Sequence, residues 1–143
     1  MSDTGRNARG AGQIVYAHHL HLDSIDLGRD CHREHDASQN YLYTVRGKPR
    51  PMLIIGPNGE KSNGIQWYWV LKLTSVGGDA AAAQRRGYVR LGRLLDDRTV
   101  SYTERRPYSI PENLFEQEVK ALGPHELQAV LSIAKIRPGG PLR

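Results

Sequence analysis

Arg50 stands before Pro51 and an unbroken apolar run, Met52-Leu53-Ile54-Ile55, which Gly56-Pro57 closes. Thr74 and Ser75 end a second run that starts at Gln66-Trp67-Tyr68-Trp69. If the two runs pair as antiparallel strands, a guanidinium and two hydroxyls share one rim of a sheet. Guanidinium groups pair with phosphate through parallel N–H donors. A second group, Arg85, Arg86, Arg90 and Arg93 with Tyr88, forms a basic patch interleaved with an aromatic. A tyrosine ring there can stack on an unpaired base. A third group, Cys31-His32-Arg33-Glu34-His35, with His18, His19 and His21 upstream, invites a metal. Zinc sites usually use two spaced ligand pairs, and with one cysteine in the chain no metal site is expected. By residue type alone each group also has a plain reading. Arg50 is a strand-end surface cation, Thr74 a β-former with a locally satisfied hydroxyl, the arginines a solvated face, and 31–35 an exposed polar loop.

The elements that would position these groups follow from turn signals and periodicity. Met52–Ile55 and Gln66–Thr74 read as strands of a hairpin, the first a buried strand because its apolar run does not alternate. Proline suits a strand's first residue but not its middle, which sets Arg50 at the strand mouth. Asn58-Gly59 in the connecting loop is a type I′ candidate. Gly12–Ala17, Tyr41–Val45, Tyr88–Leu91 and Thr99–Thr103 read as further strands, the last two as partners. Asp79 to Gly87 encloses an alanine run, a short helix with arginines in its last turn. Leu114, Phe115, Val119 and Leu122 predict one C-terminal helix ending at Gly123. Leu127, Val130, Leu131 and Ala134 predict a second from Pro124. The expected class is mainly β with C-terminal helices (α+β), a small, strongly bent antiparallel sheet or partly closed barrel.

Length and composition set the bounds. With 143 residues, one domain with a modest core is expected over 12–137. A disordered lead-in at 1–11, an insertion loop at 22–40 and a tail at 138–143 complete the layout. No apolar run is long enough for a transmembrane helix, and the N-terminus lacks the apolar core of a secretory signal. A single cysteine suits a reducing cytoplasm. The net charge of +5 favours a polyanion or an acidic protein as partner, or serves solubility alone.

Four segments, in order, resemble the MazF/PemK/Kid toxin family of toxin–antitoxin systems. Gly12-Gln13-Ile14-Val15-Tyr16 is similar to that family's opening strand, and Arg50–Ile55 to its R-P-V-L-V-I strand. Val70–Ser75 resembles its strand ending in I-T-S. Val100-Ser101-Tyr102 with Ile110–Leu114 resembles a later strand and the lead into the C-terminal helix. The resemblance implies an SH3-like barrel, a homodimer, and a metal-independent endoribonuclease acting on single-stranded RNA without cofactors. It also implies an acidic antitoxin as partner. It sets Arg50 and Thr74 on the catalytic arginine and threonine. The sequence departs from the family in the long segment between Tyr16 and Arg50, which would border the RNA groove.

The implied reaction is attack by the RNA's own 2′-OH. Arg50 would stabilise charge on the phosphate's non-bridging oxygens, since arginine stays protonated. Thr74 and Ser75 would donate hydrogen bonds to the scissile phosphate. His18 or His19 would do acid–base work, since histidine changes protonation near neutrality. Arg85, Arg86, Tyr88 and Arg90 would bind the strand. Two alternatives accompany this: a non-catalytic SH3-like module that binds nucleic acid or protein, and a toxin of the same fold that inhibits a protein target.

Overall fold

The computed structural model describes residues 9–19, 31–35, 41–45, 48–61, 63–75 and 80–141. In chain order the strands are β1 (Gln13–His19), β2 (Cys31–His35), β3 (Tyr41–Val45), β4 (Lys48–Pro57), β5 (Trp67–Lys72), β6 (Tyr88–Gly92), β7 (Ser101–Glu104), β8 (Tyr108–Pro111) and β9 (Phe115–Ala121). The helices are α1 (Ala80–Arg85) and α2 (Pro124–Ala134), with a 3-10 turn at Glu112–Leu114. The chain divides into two compact units, one from His18 to Pro49 and one formed by the residues on either side.

In the smaller unit β2 and β3 pair antiparallel, from Cys31↔Val45 to His35↔Tyr41. Part of the expected insertion loop is therefore a strand. Residues 1–8 of the expected disordered lead-in lie outside the described residues, as does His21.

The larger unit is built on an antiparallel sheet in the order β8-β5-β4-β1-β9. Among the described residues this sheet is open, with β8 and β9 at its edges, and it closes no barrel. The unbroken apolar run in β4 has its reason in burial on both faces. Leu53 and Ile55 join Leu71, Leu73, Val130 and Leu131 in one core cluster. Met52 and Ile54 join Val15, Ala17, Val70 and Ile110 in the other. Each fully buried aliphatic side chain contributes about 1.5–3 kcal/mol.

Three local expectations need correction. The segment after Leu114 is the edge strand β9, not a helix. It pairs with β1 from Gln13↔Ala121 to Ala17↔Phe115. Phe115, Val119 and Ala121 satisfy a period of two as well as a helical one, and β1 has backbone groups that need a partner. The C-terminal helical cover is α2 alone, with Val130, Leu131 and Ala134 buried as the stripe predicted. Pro51 lies inside β4, so Arg50 is a strand residue and not its mouth. The strand survives because the Pro51 carbonyl accepts the Leu73 N–H at 3.0 Å. Only the return bond, which needs an N–H on Pro51, is missing. Finally, the two consecutive positive φ values of a type I′ turn fall on Asn63 and Gly64, at 54° and 77°, rather than on Asn58-Gly59.

Within the expected tail at 138–143 the residue packed against the sheet is Gly140, while residues 142 and 143 lie outside the described residues. Gly140 is buried at φ +96°, and a Cβ there would collide with the Trp69 ring.

Candidate functional site

The hairpin register decides where Arg50 and Thr74 lie. Met52 pairs with Lys72 and Leu53 with Leu71. The Leu73–Pro51 bond continues the ladder, and one step further the register sets Thr74 opposite Arg50. Directly opposed residues of an antiparallel pair share a face. Arg50 and Thr74 therefore lie on the face of Met52 and Lys72, away from the α2 side.

Beyond Thr74 the row continues. Thr74 pairs with Tyr102 of β7, and the two exchange backbone bonds of 2.9 and 2.7 Å. Tyr102 pairs in turn with Arg90 of β6. Arg50, Thr74, Tyr102 and Arg90 thus form one cross-strand row over β4, the end of β5, β7 and β6. The row exists because the outer edge of β5 is shared. Trp67 to Val70 pair with β8, while Thr74, two residues past the end of β5, pairs with β7.

Within the row the polar atoms are unevenly satisfied. The Arg50 side chain is half-buried, and among the described residues its buried Nε has no hydrogen-bond partner. A buried donor left unpaired is costly and calls for an acceptor. Among the described residues the Thr74 hydroxyl reaches only the Ser75 carbonyl, at 3.3 Å. Ser75 is exposed.

A charged cluster flanks the row. The Tyr108 hydroxyl donates to Glu104 Oε2 at 2.7 Å, and the Tyr88 hydroxyl to Oε1 at 3.4 Å. Lys72 Nζ lies 3.7 Å from the same carboxylate and 5.8 Å from the Tyr108 ring centre. The Arg106 guanidinium lies 5.2 Å from that ring. Burial alone would push the Glu104 carboxyl up. The Tyr108 hydrogen bond, Lys72, the Tyr88 hydrogen bond and Arg106 together outweigh it and hold the carboxyl below its ordinary range. Burial, then Glu104, pushes the Tyr108 phenol up to about 12. The Tyr88 phenol is raised by burial and Glu104, against the downward pull of Arg86 and Arg50. Tyr88 thus feels the Arg50 charge and links the cluster to the row.

No protein-family model matches the chain, and no curated protein matches it. The site is therefore read from its own geometry. Arg50 and Thr74 come together in the row, and Arg90 joins it from the basic patch. Tyr88 stands beside it in the cluster. Arg86 acts on Tyr88 electrostatically, while Arg85 is an exposed residue at the end of α1. His18 is half-buried near the end of β1, inside the strand rather than after it, and belongs to the smaller unit. Lys72, Tyr102, Glu104 and Tyr108 were not anticipated. Lys72 was within reach of a period-two reading, since it precedes Thr74 by two on one strand face, as Tyr102 precedes Glu104.

Among the described residues no group of three or more histidine, cysteine or acidic side chains is placed to hold a metal. No described helix is long and apolar enough to cross a membrane.

Proposed function

We propose that the protein is a toxin-type endoribonuclease that cuts single-stranded RNA by attack of a 2′-OH on the neighbouring phosphodiester. The observation that carries this reading is the row itself. Among the described residues, a guanidinium with a buried, unpartnered Nε stands opposite a threonine whose hydroxyl has only a long local bond. A second guanidinium follows two strands away. That combination suits an oxyanion-rich group: Arg50 takes the charge that builds on the non-bridging oxygens, and Thr74 donates to the same phosphate. Ser75 assists from the exposed end, and Arg85, Arg86, Tyr88 and Arg90 take the flanking strand. The finer features of the resemblance belong to the same proposal: an SH3-like barrel, a homodimer, neutralisation by an acidic antitoxin, and a cytoplasmic setting.

The test is induced expression with mapping of RNA ends, repeated in vitro with the purified protein and a chelator. The expected products carry 2′,3′-cyclic phosphate and 5′-hydroxyl ends. Arg50→Ala should lower cutting by about 10²–10³-fold, the loss typical of a deleted charge-stabilising donor. RNA binding that survives Arg50→Ala without any cutting by the wild type would instead favour a binding module. Growth arrest with intact RNA would favour a toxin acting on a protein.

A further inference from the structure

A cleft of about 290 Å³ adjoins the row. It is lined by Gln84 of α1, Tyr88, Val89 and Arg90 of β6, Tyr102 of β7, and Arg105 just beyond it. Two of these, Arg90 and Tyr102, are members of the row, so the cleft lies at the row's Arg90 end. None of the six lining residues is acidic. The carboxylate of the neighbouring cluster, Glu104, is occupied by Tyr108, Tyr88 and Lys72.

We propose that this cleft is a nucleotide subsite that holds the base next to the scissile phosphate, and that Gln84 sets which base is preferred. The proposal rests on the nuclease reading for its place along the RNA strand. The volume of about 290 Å³ falls just below the range of about 300–1,000 Å³ usual for small-ligand pockets, which favours a single nucleotide over a larger ligand. The lining supplies each contact that a nucleotide needs. Tyr102, 8% exposed, forms a fixed wall, and the Glu104 bond restrains the Tyr88 ring. Aromatic rings are the stacking platforms for unpaired bases. Arg90 and Arg105 are exposed cations suited to the attached phosphate. A glutamine amide offers one acceptor and two donors, a pattern that matches the N6/N7 edge of adenine in bidentate fashion. Adenine is therefore the expected base.

Binding is measured first with AMP, GMP, CMP, UMP and inorganic phosphate, by calorimetry and by amide chemical shifts of the full chain. AMP should bind best and perturb the amides of Tyr88 to Arg90 and Tyr102. Arg105→Ala should weaken all four nucleotides. Gln84→Ala should reduce the preference for AMP by about tenfold, the discrimination carried by one bidentate pair. Both positions are exposed, so folded variants are expected, and circular dichroism checks this. In RNA end mapping, Gln84→Ala should relax the base preference at one position beside the cut. Equal affinity for phosphate and AMP, or nucleotide binding indifferent to both variants, overturns the subsite. AMP binding that passes these tests in a protein that cuts no RNA would sink the nuclease reading and leave the nucleotide pocket standing. Cutting with a base preference unaltered by Gln84→Ala would do the reverse.

Discussion

Glu104 accepts from two phenols and pairs with a lysine, so three side chains from three strands depend on one carboxylate. Glu104→Ala should lower stability by about 1–2 kcal/mol, a charge-assisted bond discounted for partial exposure, as read by urea denaturation. It should also loosen the Tyr88 ring, whose hydroxyl Glu104 holds. The pH dependence has two limbs. The Glu104 carboxyl is held low in the folded state, so its contribution is present above the ordinary glutamate range and fades as pH falls through the lowered value. The Tyr108 phenol is raised to about 12, so its contribution is present below pH 10 and fades as pH rises from 10 towards 12. Denaturation followed across that alkaline window should show a loss of stability that Tyr108→Phe diminishes. At this scale the sequence led to the expectation that Arg50 and Thr74 share one rim of a sheet, and the hairpin register sets them opposite each other. It did not disclose Lys72 or Glu104, because charged strand residues look like solvated ones until their cross-strand partners are known.

Among the elements, β1 depends on a single glycine. The Gly12 N–H donates to the Ile54 carbonyl of β4 at 2.9 Å, and its carbonyl accepts from Leu122 at 2.8 Å. Its φ is +98°, and a Cβ would stand 2.9 Å from the Leu122 carbonyl oxygen. Gly12→Ala should therefore cost about 1–3 kcal/mol, visible as a lower melting temperature in a thermal scan. The hairpin of β4 and β5, the pairing of β6 with β7, and the stripe of α2 were all legible, since each rests on local period and turn chemistry. β9 was not. Its apolar positions fit two periods, and what decides between them is the open edge of β1, a partner distant in the chain. The position of β7 on the end of β5 was equally hidden, and it is that contact which extends the row to Tyr102 and Arg90.

For the molecule as a whole, a charge of +5 makes ionic strength the first variable to change. If single-stranded RNA lies along the row, its affinity should fall linearly on a log–log plot against salt. The slope is about 0.7 for each phosphate contacted. Arg90→Ala should flatten that slope by about 0.7, whereas loss of a contact to a neutral base would leave it unaltered. The seat of Gly140 against the Trp69 ring gives the fold an optical signal of its own. Of the two indoles, Trp67 is 39% exposed and sits at the start of β5, while Trp69 lies under the final turn. Indole emission moves to longer wavelength when water reaches the ring. Undocking of the turn from Arg137 to Gly140 would thus redden the fluorescence while strand content stayed constant, so attachment of that turn can be followed in solution without a label.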